Sequence, residues 1–180
     1  EGHIFADNTD GYGFAANLKH GAPGWSAKDK QALVLGAGGA SRGVLWALLD
    51  QGMSRVFLAN RTREKAEALY RDFGERVEVV DWGDAPSAVE NADLLVNTTS
   101  LGMTGRADLG ISLEHLSPTT LVTDIVYTPL ETTLLREARK KGCSVVDGLG
   151  MLLHQAVPGF EAWFGVRPEV TNATRAAIPK

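Results

Sequence analysis

Six short apolar runs, alternating with helix-patterned segments, leave few folds open to this chain. The runs are residues 32–36 (ALVLG), 55–60 (RVFLAN), 76–80 (RVEVV), 92–98 (ADLLVNT), 120–126 (TLVTDIV) and 143–147 (CSVVD). Runs this short and this continuously apolar read as strands buried on both faces, which is the habit of parallel sheets. The intervening segments 41–52, 62–74, 85–91 and 128–142 read as helices. Thr62 is an N-cap and Gly74 a stop for the second of these. Residues 128–142 read as a capping box with Pro129 in the first turn, Glu131 at the third position and a basic end. A longer helix over 148–165 must tolerate Pro158. Parallel strands joined by right-handed crossovers give an α/β fold: a doubly wound, parallel six-stranded Rossmann sheet of order 3-2-1-4-5-6.

The 180 residues suit one domain with a full core. Residues 1–26 are expected to form a linker, with a helix from Gly13 to Lys19 and then a Gly/Pro loop. Residues 27–165 form the sheet domain, and 166–180 a tail. The net charge of -4 argues against a general nucleic-acid binder. No apolar stretch approaches the roughly 20 residues of a membrane span. No secretory signal pattern opens the chain, so the cytoplasm is the expected compartment. The single cysteine, Cys143, sits in an apolar run and reads as a buried structural thiol. The four histidines His3, His20, His115 and His154 show no metal spacing, so no metal site is expected. The first residue is Glu1 and not Met, which is expected of a chain cut from something longer.

The turn after the first strand, VLGAGGASRG, carries the clearest chemistry. Gly36 permits a tight turn, while Gly38 and Gly39 let backbone N–H groups approach a pyrophosphate at a helix N-terminus. Ala37 and Ala40 complete the loop. Ser41 stands where a third small residue belongs. A glycine-rich turn with no ligand is the plainer reading, and the strand–turn–helix context argues against it.

The second strand ends without the carboxylate that would hold a ribose diol. Asn60 takes that place, and Arg61, Thr62, Arg63, Glu64 and Lys65 follow. A guanidinium pairs with a 2′-phosphate that a carboxylate would repel. This pattern predicts NADP(H). The alternative is a solvated basic helix start, with Glu64 satisfying the cluster, although cations there oppose the helix dipole.

Three further stretches, ADNTDGYGF (6–14), NTTSLGM (97–103) and DGLGMLLHQA (147–156), complete a pattern. With GAGGAS, NRT and DIVYTP they make the chain resemble the shikimate dehydrogenase family over nearly its whole length. The resemblance implies NADPH-dependent reduction of 3-dehydroshikimate to shikimate. It implies a catalytic role for Asp10 beside a lysine, and substrate contacts from Asn8, Asp10, Tyr127 and Gln155. It assigns Gly36 to Ala40 to the pyrophosphate and Asn60 to Lys65 to the adenosine phosphate. Ile125, Gly148 and Met151 are assigned to the nicotinamide, and Thr98 to the border of the same cleft. Each assignment has a plainer competitor: Asp10 as a helix N-cap, Tyr127 as a packing aromatic, Gln155 as an exposed helix residue. The resemblance also implies an amino-terminal substrate domain bearing the lysine. That domain is not within these residues, and the tail would return toward it. Residues 1–180 alone are therefore expected to bind NADP(H) and turn over little. Small-molecule substrate and the substrate domain are the implied partners, and a homodimer is left open. A quinate/shikimate dehydrogenase using NAD and a non-catalytic NADP-binding domain are the competing readings.

Overall fold

The computed structural model describes residue 3 and residues 6–178. Residues 1, 2, 4 and 5 of the expected linker, and 179 and 180 of the tail, lie outside the described residues. Helix α1 (Asp10–Gly21) precedes strand β1 (Gln31–Leu35). Then come α2 (Gly39–Asp50), β2 (Arg55–Ala59), α3 (Arg63–Phe73), β3 (Val77–Val80), α4 (Ala85–Ala88) and β4 (Leu94–Asn97). The chain continues through β5 (Leu121–Asp124), α5 (Thr133–Lys140), β6 (Val145–Val146), α6 (Leu149–Phe164) and α7 (Asn172–Ala176). The sheet runs β3-β2-β1-β4-β5-β6, and every pairing is parallel. This is the expected order.

Side chains of a strand alternate faces, and β1 shows the consequence. Ala32 and Val34 join one buried cluster with Phe14, Leu18, Val44, Leu45, Leu48, Ala66 and Met151, from α1, α2, α3 and α6. Leu33 and Leu35 join the other, with Ala85, Val89, Leu95, Leu134, Leu135 and Ala138. Helices thus cover both faces, which is why the central strands β1 and β4 show no polar alternation, whereas edge strand β3 exposes Glu78. Cys143 is buried, and its thiol donates to the Ser117 carbonyl at 3.2 Å. Among the described residues no helix is long and apolar enough to cross a membrane.

Most boundaries fall within two residues of expectation, and two helix starts differ by three or more. Helix α1 extends to Asp10–Gly21, beyond the expected Gly13 to Lys19. Helix α5 begins at Thr133, five residues later than the pattern places it. Its N-cap is Thr132, whose hydroxyl accepts from Leu135 N at 3.4 Å and donates to Asp124 Oδ2 at 2.8 Å. A buried carboxylate on β5 fixes the cap, and a local capping pattern cannot reveal that contact.

Candidate cofactor and active site

The carboxyl edge of β1 opens into the glycine turn. Gly36 has φ +107°, in the region L side chains avoid, and a Cβ there would stand 2.7 Å from Thr98 Oγ1. Ser41 locks the turn from inside α2. Its fully buried hydroxyl donates to the Gly36 carbonyl at 2.8 Å, accepts from Gly38 N at 3.1 Å, and lies 2.6 Å from the Thr98 hydroxyl. Ser41 therefore serves as the small residue at the helix–strand contact and also as a fastener. The backbone of Gly38 and Gly39 faces open space, since a Cβ built on either meets no atom within 4 Å.

Asn60 explains the missing carboxylate. Its Oδ1 accepts from Ala37 N at 3.1 Å, and its Nδ2 donates to the Thr62 carbonyl at 2.7 Å. One amide thus ties the glycine turn to the basic turn, which a carboxylate could not do because it has no donor. Thr62 occupies the N-cap position of α3 without a side-chain cap bond. The basic cluster divides. Arg63 pairs with Asp81 at 2.6 Å and Glu67 at 2.9 Å, and the bond to Asp81 first, then that to Glu67, raises its pKa. Among the described residues Arg61, Lys65 and Glu64 make no ion pair. Arg61 and Lys65 line a cleft of about 250 Å³ together with Gly36, Ala37, Gly38, Asn60, Thr98, Thr99, Ser100, Leu101 and Trp82. The open glycine backbone and two free cations in one cleft fit a phosphorylated dinucleotide.

The loop after β4 is built on a buried polar network. Asn97 Nδ2 donates to Asp124 Oδ1 at 2.9 Å and to the Leu101 carbonyl at 3.1 Å. Asn97 Oδ1 accepts from Thr99 N and the Thr99 hydroxyl. Asp124 Oδ1 also accepts from Val126 N at 3.0 Å. Burial pushes the Asp124 carboxyl up to about 6, against the three donors that pull it down. This carboxylate sets the course of both loops that carry the expected cofactor and substrate residues. The spacing of the sequence marks it only as a strand end and gives no sign of this network, nor that Trp82 lines the cleft.

The remaining expected residues are spread over the end of β5, the start of α6 and the turn into α1, with Tyr127 and Asn8 lining two different cavities outside the glycine-turn cleft. Ile125 leaves β5 directly against Gly148, where a Cβ would run into the Ile125 and Val126 carbonyl oxygens. Met151 is buried one turn further along α6. Replacing Gly148 with alanine is expected to cost about 1–3 kcal/mol by overpacking, read as a lower urea midpoint. Tyr127 is 41 % exposed, beside Pro129, Leu149 and Arg175 around a separate, largely apolar cavity of about 260 Å³. Gln155 is half-buried. Its Oε1 accepts from the Thr9 hydroxyl at 3.3 Å and its Nε2 donates to the Leu152 carbonyl. Asn8 Oδ1 accepts from Asp10 N at 2.8 Å, so Asn8 makes the turn into α1. Asp10 itself is not the N-cap, a position held by Thr9. Its carboxylate makes no hydrogen bond or ion pair among the described residues. The Asp10 Cβ packs close to Gly43, one turn into the helix that the glycine turn opens, where an added Cβ would stand 3.0 Å from it. The tail folds back through α7, where Arg175 grips Asp147 at 2.7 and 3.0 Å.

Two family models match the chain. "Shikimate / quinate 5-dehydrogenase" covers residues 18–105, and "Shikimate 5'-dehydrogenase C-terminal domain" covers residues 148–178. A shikimate dehydrogenase (NADP(+)) of Dinoroseobacter shibae is 63% identical over 177 residues, 98% of this chain and 64% of that protein. The chain thus spans less than two thirds of the length of this curated relative. The structure of quinate dehydrogenase from Corynebacterium glutamicum in complex with NAD matches with TM-score 0.87 and 33% identity, over 94% of this chain and 61% of that one. Shikimate 5-dehydrogenase from Thermus thermophilus, in complex with NADP(H) and shikimate, matches with TM-score 0.77 and 40% identity, over 90% and 58%.

Proposed function

This chain belongs to the shikimate/quinate dehydrogenase family, and from that premise we propose that it forms the cofactor-binding portion of an NADP(H)-dependent shikimate dehydrogenase. The observation that carries the reading is the pair Arg61 and Lys65, free of carboxylate partners among the described residues, in the cleft that the glycine turn opens. The open N–H groups of the turn from Gly36 to Ala40 would hold the pyrophosphate. Asn60 would hold the two turns in register, and Arg61 and Lys65 would take the 2′-phosphate. Arg63, engaged by Glu67 and Asp81, would brace the site from outside. Thr98 would support the turn by its hydroxyl, and Ile125, Gly148 and Met151 would wall the far end.

A bound nicotinamide supplies the hydride for reduction of a ketone, and the developing alkoxide then needs a proton. Asp10 offers a carboxylate that would hold and orient an ammonium proton donor beside that oxygen. Gln155, steadied by Thr9, and Tyr127 would orient the substrate, and Asn8 would shape the turn that presents Asp10.

The NAD-linked quinate alternative is not favoured. It would call for a carboxylate after β2, whereas this chain places an amide and two free cations there. The test is nicotinamide absorbance with the complete polypeptide that contains these residues. NADP+ with shikimate is expected to be reduced fastest. Faster turnover of quinate with NAD+ would reverse the assignment, and no turnover with tight NADPH binding would favour a non-catalytic domain.

A further inference from the structure

We propose that Trp82 is the adenine platform of this cleft: its indole forms an apolar wall against which a purine ring of a 2′-phosphorylated adenosine stacks. The inference rests on the NADP(H) reading above. Trp82 is half-buried, packing on the core cluster beneath the sheet while lining the cleft with Arg61 and Lys65. It is the aromatic among the cleft's lining residues, whose other members are glycine backbone, polar side chains, cations, Ala37 and Leu101. It opens a 3₁₀ turn (Trp82–Asp84) straight after β3. In a doubly wound sheet the adenosine half of a dinucleotide lies on the side of the second strand, beside which β3 is paired.

Its position is braced. Asp81, the residue before it, receives Arg63 Nη1 at 2.6 Å. Arg63 stands two residues after Arg61. One ion pair therefore ties the start of α3 to the end of β3, and fixes the spacing between the cation for the phosphate and the indole. An aromatic face contributes to purine binding whatever the ribose carries, because stacking does not read the 2′ position.

The experiment compares this chain with Trp82→Leu and Trp82→Phe, using NADPH, NAD+ and 2′,5′-ADP, which carries the adenine and 2′-phosphate but no nicotinamide. Trp82→Leu is expected to weaken all three by roughly tenfold, the scale of one stacked base, leaving the NADPH-to-NAD+ ratio unchanged. Trp82→Phe is expected to recover most of the affinity. It should also abolish the change in tryptophan emission that 2′,5′-ADP produces in the parent, a readout that holds even if the leucine variant does not fold. Wild-type affinity for 2′,5′-ADP in folded Trp82→Leu, or a full emission change in Trp82→Phe, would overturn the assignment. Failure of the parent itself to bind 2′,5′-ADP would instead bring down the cofactor reading, and the platform with it.

Discussion

Asp124→Leu is expected to lose on the order of 4 kcal/mol of stability, a large share of the 5–15 kcal/mol typical of a domain. The carboxylate is 1 % exposed and accepts from Asn97 Nδ2, Val126 N and the Thr132 hydroxyl. Leucine fills the space and leaves three buried donors unpaired. Each unmatched donor costs about 1–3 kcal/mol, reduced where the Thr132 hydroxyl can rotate away. The loss should appear as a lower urea midpoint. It should also loosen the loop Thr98–Leu101, the start of α5 and the segment through Tyr127, because all three hang on this group. Asp124→Asn is the informative control. Its Oδ1 can keep Asn97 and Val126, and its amide can donate to Thr132 Oγ1, which accepts readily.

The same pair of proteins separates packing from titration. Burial holds the folded carboxyl at about 6, above its ordinary 3.8. A raised acid binds more protons folded than unfolded between those values. Its contribution to stability is therefore full below pH 4 and is lost as pH rises through about 6. A rise of about two units corresponds to roughly 3 kcal/mol. Other carboxylates move the opposite way, Glu137 for example being lowered first by its bond from Lys140. The difference between parent and Asp124→Asn, measured by urea unfolding from pH 4 to 7.5, isolates the one group. It should shift in favour of Asp124→Asn as pH rises, and a flat difference would remove the burial argument.

Much of the fold is legible in the residues because local and global demands agree. The buried strands are apolar on both faces, so the pattern marks them as parallel, and short helical crossovers then leave one sheet order. The glycine turn is legible because its needs are local: a positive φ at Gly36 and bare backbone at Gly38 and Gly39. What escapes is set by contacts distant in sequence. The basic run Arg61 to Lys65 reads as one cluster, yet Asp81, eighteen residues on, claims Arg63. Asp124 reads as a strand residue until Asn97 and Thr132 are seen to converge on it. The start of α5 follows that same convergence, and Trp82 reaches the cleft only because β3 pairs beside β2.

Arg61→Ala is expected to weaken NADPH by ten- to a hundredfold and NADH by less than twofold, measured by titration of nicotinamide fluorescence. The range follows from charge-assisted hydrogen bonds, worth about 1.5–3 kcal/mol each in a partly shielded cleft. Arg61 is exposed and has no ion-pair partner among the described residues, so its removal leaves no buried charge behind and stability should hold. Lys65→Ala should act in the same direction and more weakly, since an ammonium binds phosphate as a point charge and not as a fork. The double variant should bind NADPH and NADH alike. Arg63→Ala separates a brace from a ligand: losing the Asp81 contact should lower affinity for both cofactors together. Salt offers an independent check. Screening should erode NADPH binding in the parent and leave NADH nearly untouched, and the slope should flatten in Arg61→Ala. Equal losses of both cofactors in Arg61→Ala would mean that its guanidinium positions the turn and does not read the phosphate.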